Sequence, residues 1–238
     1  MAPRTLQQVA IKMKNKILII LCSLIFCSCA HTYTHMRPHI PFDSFVRIEA
    51  KRYKANCFTC ILEQAFGSGT AISSNRVLTA GHVCTGIREM VDTAYSSEVL
   101  DKVLVTISDD KGNERGVIKL DIHPSKDICL MKTDRPMLAD RAAFASSNPS
   151  RGKEVWSMMA PNGVASAGLV PVVSGYFAGG DHLLSVFTIP AHPGSSGAPI
   201  LNAAGEIIGI VSQINKSFHH IVISPSRASL INFIVSLE

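Results

Sequence analysis

What most constrains this chain is a succession of short apolar runs, rich in valine and isoleucine and cut by turn residues. Val103-Leu104-Val105-Thr106-Ile107, Val117-Ile118-Lys119-Leu120, Val155-Trp156-Ser157-Met158, Val170-Pro171-Val172-Val173 and Leu184-Ser185-Val186-Phe187-Thr188-Ile189 have strand length and carry branched side chains that suit a pleated surface. Between them lie clusters such as Asp109-Asp110-Lys111-Gly112-Asn113 and Asn202-Ala203-Ala204-Gly205, whose glycine and Asx residues turn the chain. This spacing predicts an all-β sandwich or barrel in place of alternating α/β units. With 238 residues, 47% of them hydrophobic, the chain can bury one sizeable core. Only residues 226–237 look helical, with Leu230, Ile231, Phe233, Ile234 and Leu237 near one face and Ser226 placed to cap the start.

Gly194-Ser195-Ser196-Gly197-Ala198-Pro199 holds a serine between glycines, just ahead of the apolar Ile200-Leu201. A nucleophilic serine needs an unhindered hydroxyl and backbone N–H groups aimed at the oxyanion formed by its attack. Glycine supplies the positive φ values that aim them. The same string also suits an ordinary turn. Upstream, Phe66-Gly67-Ser68-Gly69-Thr70-Ala71-Ile72-Ser73, a polar turn at Ser73-Ser74-Asn75, and Arg76-Val77-Leu78-Thr79-Ala80-Gly81-His82-Val83-Cys84 read as two strands, the second ending on a histidine. Lys126-Asp127-Ile128-Cys129-Leu130-Met131-Lys132 puts an acid at the head of another short apolar strand. The chain order is His82, Asp127, Ser196.

These three motifs resemble the histidine motif, aspartate strand and serine loop of trypsin-like serine proteases, which share this order. The stretch Gly205-Glu206-Ile207-Ile208-Gly209-Ile210-Val211-Ser212, with His220-Ile221-Val222-Ile223-Ser224-Pro225, resembles the last two long strands of the bacterial HtrA-type branch. The resemblance runs from about residue 64 to the C-terminus. It implies two six-stranded antiparallel β-barrels of chymotrypsin-like fold with a C-terminal helix, divided as 44–135, a linker at 136–149, 150–225 and a helix at 226–238. His82 and Asp127 would come from the first barrel and Ser196 from the second. Ser196 is then the nucleophile, His82 its base and Asp127 the group that orients His82. Ser195 and Asp121 compete for these roles, but Gly197 and Pro199 set the register on Ser196, and Asp121 interrupts a strand.

The resemblance further implies an oxyanion hole from the N–H groups of Gly194 and Ser196. Ser212, Gln213 and Ile214 would form an edge strand for substrate, with His192 and His220 beside the side-chain pocket. No acid stands near 190–192 or 219–221, which points to an uncharged or small side chain in that pocket and away from Lys or Arg. Ser195 stands where digestive trypsins have an aspartate that pairs with a newly cut N-terminus, so no cleavage beyond signal removal is expected. No PDZ-like segment is expected after the helix. The implied activity is serine endopeptidase, with a polypeptide substrate and neither cofactor nor metal. A catalytically silent binding protein on the same fold, and an esterase using the same residues, stay open.

The N-terminus has another character. Lys12, Lys14 and Lys16 precede the apolar run from Ile17 to Phe26, and Cys27-Ser28-Cys29-Ala30 follows. A basic region, about ten apolar residues and a small-residue end describe an export signal, too short for a comfortable membrane span. Phe26-Cys27-Ser28-Cys29 resembles a bacterial lipobox, which would make Cys29 the lipidated residue, although leucine is usual where Phe26 stands. Residues 1–29 are thus expected as a signal of lipoprotein type and 30–43 as a tether. The product is expected in the cell envelope, held at the membrane by lipid or signal, or secreted. A signal-anchor helix is the alternative, and Met13 is an alternative start.

The first 29 residues hold Arg4, Lys12, Lys14 and Lys16 and no acid, so removing them takes the formal net charge from +5 to +1. A nearly neutral body has no nucleic-acid footprint. His31, His35 and His39 recur every four residues but flank Pro38 and Pro41, which favours a tether over a metal site. Cys57, Cys60, Cys84 and Cys129 lie outside the signal, and export permits disulfides. A bridge from Cys84 to Cys57 or Cys60 is open, and Cys129, within an apolar strand, is expected to be a buried free thiol.

Overall fold

The computed structural model describes residues 37–57, 59–96, 100–137, 141–215 and 217–237, so the expected signal, Cys29, His31 and His35 lie outside the described residues. Six strands, β1 (Phe45–Tyr53), β2 (Ile61–Ser73), β3 (Arg76–Thr79), β4 (Lys102–Asp109), β5 (Glu114–Ile122) and β6 (Cys129–Thr133), close into an antiparallel barrel in the order β1-β2-β3-β6-β5-β4. Strand β1 shows why. Val46, Ile48 and Ala50 are buried at alternate positions, while Arg47, Glu49 and Lys51 between them keep partial exposure. The buried set meets Ala71, Val77, Ile107 and Met131 from neighbouring strands.

The second half holds β7 (Glu154–Met158), β8 (Val172–Gly180), β9 (Leu184–Thr188), β10 (Pro199–Leu201), β11 (Ile207–Ile210), β12 (Gln213–Ile214) and β13 (Val222–Pro225). They form one sheet in the order β11-β10-β7-β8-β9-β13-β12. Where a six-stranded barrel is expected, this sheet has, among the described residues, seven strands and no closing ladder. It curls instead, and the Ile210 N–H donates to Ser224 Oγ at 2.9 Å, tying β11 to β13 through a side chain. Strand β12 is two residues long and ends the sheet, paired on one side only.

Two helices among the described residues pack on this frame. Helix α1 (Gly81–Ser96) corrects the reading of His82 as the end of a strand: β3 stops at Thr79 and the helix begins two residues later. Cys84, Ile87, Met90 and Ala94 form its buried stripe at helical spacing. Helix α2 (Arg227–Val235) starts where Ser226 Oγ accepts the Ser229 N–H at 3.2 Å. Its Leu230 and Phe233 join Leu78, Ile128 and Leu130 of the barrel and Ile210 of the second sheet in one buried cluster.

The cysteines also differ from expectation. Cys84 is bonded to Cys129, and Cys57 to Cys60, so Cys129 is no free thiol. Register explains the first pair: Thr79 of β3 lies opposite Cys129 of β6, and the first turn of α1 rises directly beyond Thr79. Near the N-terminal edge, the His39 N–H donates to the Ala203 carbonyl at 3.1 Å, and Phe42–Ser44 form a 3-10 turn, so part of the expected tether is fixed to the β10–β11 turn. Among the described residues no helix is long and apolar enough to cross a membrane.

Candidate active site

His82 stands in the first turn of α1, where backbone N–H groups lack partners inside the helix. Asp127, two residues ahead of β6, fills that need. Its Oδ1 accepts the His82 backbone N–H at 2.6 Å, while Oδ2 lies 2.9 Å from His82 Nδ1. Ser212 Oγ donates to the same Oδ2 at 2.5 Å. Burial works to raise the Asp127 pKa, but the bonds from the His82 ring, Ser212 and the His82 backbone outweigh it and hold the carboxyl below its ordinary range. An ionised carboxylate only accepts hydrogen bonds, so the network puts the imidazole proton on Nδ1 and leaves the Nε2 lone pair free.

The serine loop is fixed peptide by peptide. The Pro193 carbonyl accepts the Asn162 N–H at 2.6 Å, and the Gly194 carbonyl accepts Ser68 Oγ–H at 2.8 Å. The Ser195 carbonyl accepts the Ala198 N–H at 2.9 Å, and the Ser196 carbonyl accepts the Ser68 N–H at 2.8 Å. Ser195 and Gly197 donate their own N–H groups to the His192 and Val211 carbonyls. The N–H groups of Gly194 and Ser196 donate to nothing among the described residues. Gly194 at φ 90° and Gly197 at φ 85° make this path possible. A side chain on Gly197 would also overlap the Thr79 hydroxyl and the Ser68 carbonyl.

Ser195 is fully buried; its hydroxyl donates to Met159 Sδ at 3.2 Å and accepts the His192 N–H at 3.3 Å. Ser196 is only half-buried and lines a cleft of about 260 Å³ with His82, Gly194, Phe66 and Val83. A second cavity, about 400 Å³, opens beside Asp127 and is lined by Lys126, Leu183, Leu184, Ser212 and Gln213. The structure thus brings His82, Asp127 and Ser212 into hydrogen-bond contact and sets His82, Gly194 and Ser196 on one cleft wall.

The Ser212 side chain is committed to Asp127, a contact that sequence reading missed, and Gln213 and Ile214 form the edge strand β12. The His192 ring packs edge-on against His219, centroids 5.4 Å apart, while His220 packs against Phe218. Ser68 also went unrecognised: in sequence it is one residue of a glycine-flanked strand, with nothing to connect it to a loop more than a hundred positions away.

Comparison with known proteins identifies the family. Residues 67–210 match the trypsin-like peptidase domain. A probable periplasmic serine endoprotease of DegP-like type from Pseudomonas fluorescens is 28% identical over 155 residues, 63% of this chain and 30% of the relative. Its counterpart in Ectopseudomonas mendocina is 30% identical over 158 residues, with the same two shares. This chain therefore spans about 30% of the length of the curated relatives it matches. Among solved structures, a protease of M. tuberculosis in its active form aligns with TM-score 0.61 at 19% identity, covering 82% of this chain and 81% of that one. An HtrA-type protease crystallised with a tripeptide aligns with TM-score 0.62 at 18% identity, covering 82% and 60%. These structures share the chymotrypsin-like fold, and the matched segment contains His82, Asp127 and Ser196: the chain belongs to the trypsin-like peptidase domain family.

Proposed function

We propose that this chain is a serine endopeptidase that cleaves peptide bonds through Ser196, His82 and Asp127 by way of an acyl-enzyme. The observation that carries the reading is one cleft holding a glycine-flanked serine, two undonated N–H groups and an imidazole held at Nδ1 by a carboxylate. Ser196 Oγ attacks the carbonyl carbon while His82 Nε2 takes its proton, and the carbonyl π pair moves onto oxygen. That oxyanion sits between the N–H groups of Gly194 and Ser196, each such donor contributing about 3–4 kcal/mol to the transition state. Collapse breaks the C–N bond, the amine leaves with the proton from His82, and water then repeats the sequence on the acyl ester. Asp127 keeps the imidazole tautomer and stabilises its cation throughout.

Substrate backbone adds to the free edge of β12 at Gln213 and Ile214, with Ser212 contributing main chain only. The His192 and His219 rings pack together next to the serine loop, where the His192 carbonyl accepts the Ser195 N–H. No acid stands at 190–192 or 219–221, which supports an uncharged or small side chain at the scissile residue. The Ser195 hydroxyl is satisfied by Met159 and His192 within the second half, which supports activity without pairing to a new N-terminus. The periplasmic naming of the curated relatives supports export of this chain. The basic and apolar residues within 1–29 support a signal there, and the lipobox-like Phe26-Cys27-Ser28-Cys29 supports Cys29 as its lipid anchor. Mass spectrometry of the mature N-terminus tests that anchor. A peptide-library cleavage profile tests the activity and separates peptidase from esterase: cleavage abolished by Ser196→Ala supports the reading, and ester turnover without peptide cleavage overturns it.

A further inference from the structure

We propose that Ser68 is a positioning residue of the oxyanion site, acting through Gly194 and Ser196 without touching substrate. The inference rests on the serine peptidase reading and adds a residue to it. Ser68 lies in β2, in the opposite half of the molecule from the serine loop, and is fully buried. Every polar group it owns is engaged. Its N–H donates to the Ser196 carbonyl at 2.8 Å, and its Oγ–H donates to the Gly194 carbonyl at 2.8 Å. Its Oγ accepts the Ala160 N–H at 2.9 Å, and its carbonyl accepts Thr79 Oγ1–H at 2.8 Å.

The consequence follows from peptide planarity. Four successive peptide units run from Pro193 to Gly197, and in a trans unit N–H and C=O point in opposite directions. The first and third units carry the free N–H groups of Gly194 and Ser196, and their carbonyls are held by Asn162 and Ala198. The second and fourth units alternate with these, and Ser68 holds both of their carbonyls, one with its hydroxyl and one with its main chain. A rotation that turned a free N–H out of the cleft would break the bond from Asn162 or Ala198 to that unit's own carbonyl. Ser68 fixes the alternating units, so the Ser196 N–H is set between two units that it holds and the Gly194 N–H beside one. Ser68 Oγ also ties this loop to Ala160, at the head of the Pro161–Gly163 turn whose Asn162 N–H holds the Pro193 carbonyl. One hydroxyl thus links the strand, the turn and the loop that together define the direction of the oxyanion donors.

Ser68→Ala removes the hydroxyl and keeps the main-chain bond. The expected result is a kcat lowered roughly 10- to 100-fold, below the 10²–10³ of losing a donor outright because both donors remain, with KM changed less than about threefold. The deciding readout is affinity for a peptide aldehyde, whose hemiacetal oxygen occupies the oxyanion site, relative to affinity for an uncleaved peptide amide. That ratio is expected to fall in step with kcat in Ser68→Ala and to recover in Ser68→Thr. Ser224→Ala, which removes a buried hydroxyl in β13, serves as the control and is expected to lower thermal stability with kcat and the ratio unchanged. Should Ser68→Ala not fold, Ser68→Cys, a weaker donor of similar shape, is read the same way. A kcat and affinity ratio at parent values in a folded Ser68 variant of lowered stability overturns the proposal. Failure of the parent chain itself to turn over peptides overturns the peptidase reading instead.

Discussion

Asp127 holds His82 at two points at once, the backbone N–H on Oδ1 at 2.6 Å and the ring on Oδ2 at 2.9 Å. The first bond caps the start of α1 and the second sets the imidazole tautomer, so helix position and proton position depend on one carboxylate. Asp127→Asn keeps the shape but can donate as well as accept, which permits the wrong tautomer. We expect kcat/KM to fall by about 10⁴-fold on the scale of triad aspartates, with the fold retained by circular dichroism.

The same carboxyl makes stability depend on acid. Its pKa lies below the ordinary value in the fold, so its stabilising contribution is complete above the unfolded carboxyl value of about 3.9 and is lost as pH falls through the lower folded value. Unfolding measured from pH 6 to pH 2 is expected to show a steeper acid loss in the parent than in Asp127→Asn. Equal slopes would remove Asp127 from the account of acid stability.

Ser212→Ala deletes one of the bonds that lowers the Asp127 pKa. Its hydroxyl reaches a charged acceptor, a bond worth about 1.5–3 kcal/mol. We expect kcat/KM to drop roughly tenfold, and the difference in acid stability between the parent and Asp127→Asn to shrink in the Ser212→Ala background. The pH-dependent unfolding of the double variant checks this.

Cys84 and Cys129 each stand two residues beyond a member of the His82–Asp127 pair, and their bond closes a 45-residue span. Replacing both by alanine is expected to cost about 2–5 kcal/mol of stability, read by urea unfolding. Replacing Cys57 and Cys60, which close a loop of three at an exposed hairpin end, is expected to cost far less. Mild reduction with alkylation should label Cys57 and Cys60 first, since both Cys84 and Cys129 are fully buried.

How much of this was legible in the sequence depends on the range of the interaction. Strands such as β4, β7 and β9 announced themselves through branched apolar residues between turns, and Ser226 announced the cap of α2, because those signals are local. Helix α1 carried its own signal, Cys84, Ile87, Met90 and Ala94 at helical spacing. The apolar residues leading into His82 mask it, because they read as a continuation of the preceding strand. The Cys84–Cys129 bond, the contact of Ser212 with Asp127 and the four bonds of Ser68 arise from register and from packing between distant segments. No spacing rule within one segment reports these. The His82, Asp127, Ser196 order was readable because each motif is short and self-contained.

Gly197 offers a test of the loop itself. At φ 85° and with the Thr79 hydroxyl and Ser68 carbonyl in the way, a methyl group has neither the backbone angle nor the space. Gly197→Ala is expected to abolish peptide cleavage and to lower thermal stability by more than the ~1 kcal/mol of a simple positive-φ substitution. Gly152, also at positive φ but with open space around it, is the comparison, and its alanine variant should retain full activity.

The proposed chemistry turns on Ser196 as the activated nucleophile. Its most direct measurement is labelling of the intact purified chain with a fluorophosphonate, followed by mass spectrometry of the modified peptide. A single adduct on Ser196 is expected, absent in Ser196→Ala and slowed by at least about 10³-fold in His82→Ala. An adduct on Ser195 or elsewhere, no adduct at all, or labelling indifferent to His82 would contradict it.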